Sequence, residues 1–252
     1  MQRWPATRCA TARVVAGLSA LVWAVPLFGL IDLTTVVAQR GPEWRAGYVL
    51  EGGWGLLLTV LVALPLAVLA LRPGDPAALA VLGVAVLALL AGGAWAAAAP
   101  QLLLALALGA DVGMVAALAG VRGPVVRPRA HRTLLVLAVL TTAGTLAYAR
   151  EVLAHPVVLS VTDGVDHHGV QASLALAVAG CVTLGALVAG PLPPLCAAGC
   201  LAWLSLLSLA YPDVDASLGT AGGVAGVLLA VAVAAAAATA RRPVTRRPAT
   251  AR

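Results

Sequence analysis

Residues 77–97 read AALAVLGVAVLALLAGGAWAA, 21 positions without a charge, an amide or a hydroxyl. At 1.5 Å per residue a helix of that length rises about 30 Å, the thickness of a bilayer's hydrocarbon core. Barrel strands would alternate apolar and polar over about 10 residues, and this run does not alternate. It therefore reads as a transmembrane helix. Seven further stretches meet the same criterion: 14–38, 54–71, 101–121, 133–149, 171–189, 195–211 and 217–240. The expected fold is all-α, a polytopic integral membrane bundle of eight helices. A basic segment (1–13) precedes the membrane domain (14–240), and an Arg-rich tail (241–252) of disordered character follows it.

Composition agrees with a lipid solvent. Of the 252 residues, 62% are hydrophobic and 10% charged, against roughly 45–50% and about 25% in soluble domains. The mean hydropathy is +1.00. These values exclude a globular enzyme, a disordered chain and a secreted disulfide scaffold. The four cysteines, Cys9, Cys181, Cys196 and Cys200, lie in the basic segment or in apolar runs, so they outline no disulfide framework. Lys and Asn are absent. Both have A-rich codons, which points to a GC-rich bacterial genome and hence to a bacterial cytoplasmic membrane. Arg3, Arg8 and Arg13 resemble the basic start of a signal peptide, and Val36 and Ala38 would suit a cleavage rule. The apolar stretch from Val14 to Ile31 is longer than the usual 7–15 residues, however, and is expected to stay as the first span.

Charge sets the orientation. With the N-terminus inside, 13 arginines fall in cytoplasmic segments and only Arg40, Arg45 and Arg150 outside. The positive-inside rule then selects N-in and C-in, which requires an even number of spans. Glu43, Glu51, Glu151, Asp163, Asp166, Asp213 and Asp215 all fall outside. The basic loop 122–132 and the tail suit anionic lipid at the cytoplasmic face. Neither carries the aromatic residues that would stack on bases, so no nucleic-acid partner is expected. Loop lengths run long, short, short in both halves, and Pro73 and Pro76 recur as Pro191 and Pro194 at an offset of 118 residues. This pattern suggests two parallel four-helix halves related by an axis along the membrane normal.

Candidate functional residues are few. Asp111 falls at the centre of the fourth span, where a carboxylate costs about 2.5–3.5 kcal/mol on insertion scales. It needs compensation, expected from Thr141, Thr142 or Ser205 on another helix. Two readings stand for it: a proton- or cation-binding group in a pathway, or a neutral carboxyl that fixes packing. Gly109 and Gly113 flank it at small-xxx-small spacing on the opposite face. Asp32, near the end of the first span, is the second intramembrane carboxylate. Arg40, Arg45 or Arg150 could pair with it, while Pro26 and Gly29 could bend the helix. His155, Asp163, Asp166, His167 and His168 form an outer polar cluster, read either as a solvated loop or as a metal vestibule. Cys196 and Cys200 share one face of the seventh span and read as packing residues. Gly219 with Gly223, and Gly222 with Gly226, read as helix-contact surfaces.

No phosphate-binding glycine loop, GxSxG, HExxH or CxxC occurs. The expectation is therefore a membrane protein without enzymatic activity or cofactor, in the first instance a small transporter or permease-like component using an intramembrane carboxylate. The alternative is an assembly or regulatory subunit that meets a partner or a second copy through its glycine-lined faces. A third reading is a membrane enzyme with an outer-face metal site.

Overall fold

A computed structural model of the chain describes residues 6–39, 41–121, 130–155, 164–188 and 190–240. The tail, most of the basic loop, Arg40 and Asp163 lie outside them. Among the described residues the fold is all-helical, with α1 (Ala6–Ala24), α2 (Gly29–Leu33), α3 (Thr35–Ala38), α4 (Pro42–Arg45), α5 (Tyr48–Leu58), a π-helical turn (Thr59–Ala63), α6 (Leu64–Leu71), α7 (Pro76–Ala96), α8 (Ala99–Leu118), α9 (Arg132–Ala154), α10 (Gly164–Leu187), α11 (Leu192–Ala210) and α12 (Gly219–Ala240). Helix α5, the π turn and α6 are continuous. Among the described residues, seven helices are long and apolar enough to cross a membrane: Tyr48–Leu71, α7, α8, α9, His167–Leu187, α11 and α12. Their lipid-side positions are exposed and apolar, as Leu103, Val139 and Leu228 illustrate.

The first expected span is corrected. Instead of one helix over 14–38, α1 begins at Ala6, carries Arg8 and Arg13, and stops at Ala24. Pro26 has no N–H to donate, Phe28 sits at φ +66°, and the chain restarts as α2 at Gly29. The carbonyl of Leu27, left without a helical partner, accepts a 3.3 Å hydrogen bond from Trp54 Nε1. Backbone that breaks at membrane depth needs such substitutes. Helix α9 also overruns its expected end and takes in Arg150 and Glu151.

Elsewhere the helix ends follow local chemistry. Asp75 caps α7 by accepting from the N–H groups of Ala77 and Ala78 at 2.9 and 3.0 Å, with Pro76 in the first turn. His131 Nδ1 accepts from Leu134 N to cap α9, and proline opens α8 and α11. These are favourable N-terminal arrangements.

Packing builds two rings. Helices α1, α6, α7 and α8 contact in that order and close by α1 against α8, and α9, α10, α11 and α12 do the same, closing by α12 against α9. Helices α10 and α11 pack on both α5 and α7 and join the rings. The core between them is Leu- and Ala-rich, with Leu57, Leu61, Leu82, Leu89 and Leu174 fully enclosed. One end of the bundle carries Arg8, Arg13, Arg72 and Arg132; the other, here the acidic end, carries Glu51, Glu151, Asp213 and Asp215.

Candidate functional site at the broken helix

The break in the first helix lets its second part fold onto a neighbour. Gly29 and Gly55 allow α2 to lie directly on α5: a Cβ on Gly29 would stand 2.8 Å from Trp23 O and 2.9 Å from Thr59 Oγ1, and one on Gly55 would strike the Leu33 backbone. Only hydrogen fits at such approaches. This seating places the Asp32 carboxyl beside that of Glu51, near enough for the two to interact electrostatically. Both side chains are buried, at 9% and 6% exposure.

A base stands next to the pair. His167 Nε2 on α10 lies 3.5 Å from Glu51 Oε1, and its ring sits 5.2 Å from that of Trp54. The site thus contains two adjacent buried carboxyls, an imidazole within ion-pair distance of one of them, and an indole anchored to the break through Leu27. Opposite the break, the π turn holds Thr59, whose buried hydroxyl has no hydrogen-bond partner. Single π turns inside α-helices recur at functional sites.

A second acid–imidazole contact lies nearby. His168, buried on α10, has Nε2 2.7 Å from Asp215 Oδ2, while Asp215 Oδ1 accepts from the N–H of Ala216 at 2.9 Å. Tyr148 on α9 donates to Ala216 O at 2.7 Å and accepts from Gln171 Nε2 at 2.6 Å. Deeper in the bundle, Gln101 Nε2 donates to Gly169 O at 3.0 Å and to Ser173, tying α8 to α10.

Asp111 has other partners than those expected. Its two oxygens accept from Ser19 Oγ at 2.7 Å and Trp23 Nε1 at 3.0 Å, both on α1 and one helical turn apart. The carboxyl clasps α1 to α8, whereas Thr141 and Ser205 belong to the other ring and leave their hydroxyls unpartnered. Asp32 likewise is not paired with Arg45, whose guanidinium lies 6.0 Å from the centroid of the Tyr211 ring. Asp111 bonds to α1 before the break, whereas Asp32 lies on α2 after it.

The expected outer cluster is divided. His155 pairs with Glu151 on the exposed end of α9 at 3.1 Å, His167 with Glu51, and His168 with Asp215. Asp163 and the side chain of Asp166 are outside the described region. Among the described residues, no three His, Cys, Asp or Glu side chains are arranged to hold a metal ion. Cys181, Cys196 and Cys200 are free and buried. The expected glycine contacts also separate. Gly223 approaches Leu209 and Ser205 O, Gly226 abuts Ser205, and Gly109 meets Val86, while Gly113 and Gly219 face open space and Gly222 meets Leu218, the residue just before its own helix. Glu51 and Asp215 were visible only as loop-side acids. Ser19 and Trp23 carried one readable signal, their i, i+4 spacing on the first apolar run.

A cavity of about 340 Å³ lies between α9 and α12, floored by α10 and α11. Its rim residues Leu140, Gly144 and Ala225 are exposed, and its floor residues Leu174 and Cys200 are buried. Water is a poor filler where polar partners are this sparse.

No family model, curated protein or solved structure matches this chain.

Proposed function

We propose that the chain is a small proton-coupled transporter or permease-like membrane protein, working through the Asp32–Glu51 pair with His167 as the next proton acceptor. The observation that carries this reading is the pair of buried carboxyls, with His167 3.5 Å from one of them, placed where the first helix is interrupted. Discontinuous helices at membrane depth supply transporters with binding groups that an intact helix would hide. Asp111 then serves the same span by holding α1 to α8, and the pathway runs along α2 and α5.

On this reading α1 is an eighth span beside the seven apolar helices. Its arginines belong at the cytoplasmic surface, giving N-in and C-in in a bacterial cytoplasmic membrane. The two rings with identical packing order, together with the 118-residue offset, support a parallel four-plus-four arrangement. The third reading is a membrane enzyme with an outer-face metal site; metal analysis of the purified protein tests it.

The test uses the full chain reconstituted in vesicles with an entrapped pH dye and a potassium diffusion potential. Wild-type vesicles should move protons faster than empty ones. Asp32→Asn and Glu51→Gln should each slow that movement about a hundredfold, in the range for losing a positioned proton carrier. Wild-type rates no higher than those of empty vesicles would overturn the reading in favour of an assembly or regulatory subunit; wild-type rates in both variants would remove the pair from it.

A further inference from the structure

The Trp54 side chain touches both the broken helix and the imidazole of the candidate site. Its indole N–H donates to Leu27 O at 3.3 Å, and its ring lies 5.2 Å from that of His167, centroid to centroid, with 35° between the two planes. Glu51 and Trp54 stand three residues apart on α5 and so share a face, and both meet His167. The next residue, Gly55, receives the Leu33 backbone of α2. The short stretch from Glu51 to Gly55 therefore holds the restarted helix and reaches the imidazole at once.

The two contacts of the indole respond to different things. The hydrogen bond satisfies a carbonyl that the interruption left without a helical donor, and hydrocarbon offers that carbonyl no water. The ring contact depends on charge. A neutral imidazole meets an indole as one aromatic meets another, whereas an imidazolium is drawn to the ring's negative face, an attraction that acts within about 6 Å of the centroid. Glu51, with Asp32 beside it, faces His167 from the α2–α5 side, and the chain neighbour His168 faces Asp215 of the connection between α11 and α12. A proton that passes from the carboxyl pair to His167 leaves Glu51 negative beside a positive ring, and the indole then meets a cation. A contact that differs between two charge states biases the structure attached to it. The structure attached here is the Leu27 carbonyl and the seat of α2.

We propose that Trp54 is the positioning residue that couples the charge on His167 to the broken helix: with His167 protonated the indole is held and keeps α2 seated on α5, and with His167 neutral the hold on Leu27 relaxes. This rests on the reading of Asp32, Glu51 and His167 as a proton pathway, but its signature is read without transport.

The experiment places the full chain, with ¹⁵N in its histidine and tryptophan rings, in lipid nanodiscs and follows the ring signals by NMR between about pH 8 and pH 5, where histidine titrates. The indole N–H signal of Trp54, recognised by its loss in Trp54→Phe, should move with the same midpoint as the His167 ring and stand still in His167→Gln. Trp54→Leu, which removes the aromatic face, should lower the His167 midpoint by about half to one pH unit. Trp54→Phe, which keeps a face and loses the N–H, should shift the midpoint less and speed hydrogen exchange of the 25–34 backbone several-fold. A Trp54 signal indifferent to the His167 titration, an unchanged midpoint in Trp54→Leu, or wild-type exchange in Trp54→Phe would each overturn the proposal. If the Trp54 signal follows His167 while vesicles move no protons, the coupling stands and the transport reading falls; if vesicles move protons while that signal stays still, the coupling falls and the transport reading stands.

Discussion

Helices α1 and α9 hold matching places in the two rings, yet α1 stops at Ala24 while α9 runs for 23 residues without a break. The broken helix is surrounded by polar contacts: Asp111 accepts two hydrogen bonds, Trp54 bonds the loosened Leu27 carbonyl, and Asp32 lies beside Glu51. The intact helix borders an apolar cavity and an unpartnered threonine. Interrupting a helix in a membrane frees backbone and side-chain groups that must then be bonded nearby, which concentrates polarity. A continuous helix leaves its neighbours free to be apolar and its seam open to lipid.

The most severe way to break this contrast is to unseat α2. Gly55→Leu would drive a side chain into the Leu33 backbone. We expect at least 3 kcal/mol of destabilisation, above the roughly 1–3 kcal/mol typical of overpacking because backbone cannot yield like a side chain, read as loss of monodisperse protein in detergent or a large fall in melting temperature. Next in size is Asp111→Leu, which deletes both bonds of the clasp. Interhelical hydrogen bonds in membranes average about 0.6 kcal/mol and reach about 1.7, so about 1–3 kcal/mol should be lost, seen as a drop of several degrees in thermal unfolding. Asp111→Asn keeps one acceptor oxygen and should lose less, with proton movement in vesicles preserved. If Asp111→Asn instead abolishes proton movement while the fold holds, the carboxyl is part of the pathway and the clasp is not its whole role.

The smaller effects sharpen the other side. Thr141→Val removes a hydroxyl that no protein group satisfies, so stability should be unchanged or rise by up to about 1 kcal/mol. Smallest is His155→Ala, which deletes an exposed i, i+4 pair with Glu151 and should shift unfolding by less than about 0.5 kcal/mol.

The apolar runs and their proline and arginine punctuation were readable because bilayer thickness dictates helix length. Pro26 and Gly29 announced a bend, but not that the chain would stop at Ala24 and restart. That outcome depends on Gly55, 26 residues later, being small enough to receive α2. Asp111 could be recognised as needing partners, while the choice of Ser19 and Trp23 over Thr141 or Ser205 rests on which helices share a ring, and hydropathy carries no such information. The placing of Asp32 beside Glu51 depends on α2 seating against α5, and that of His167 and His168 beside different acids on the rotation of α10, which separations of 19 to more than 100 residues do not encode locally.

The proposed activity requires Asp32 and Glu51 to share a single proton. Infrared spectroscopy of the purified chain at neutral pH tests for it most directly, through the C=O stretch of a protonated carboxylic acid and its isotope shift in D₂O. Wild type should show such a band, and it should disappear in both Asp32→Asn and Glu51→Gln. Wild-type protein without the band, or both variants retaining it undiminished, would contradict a shared proton.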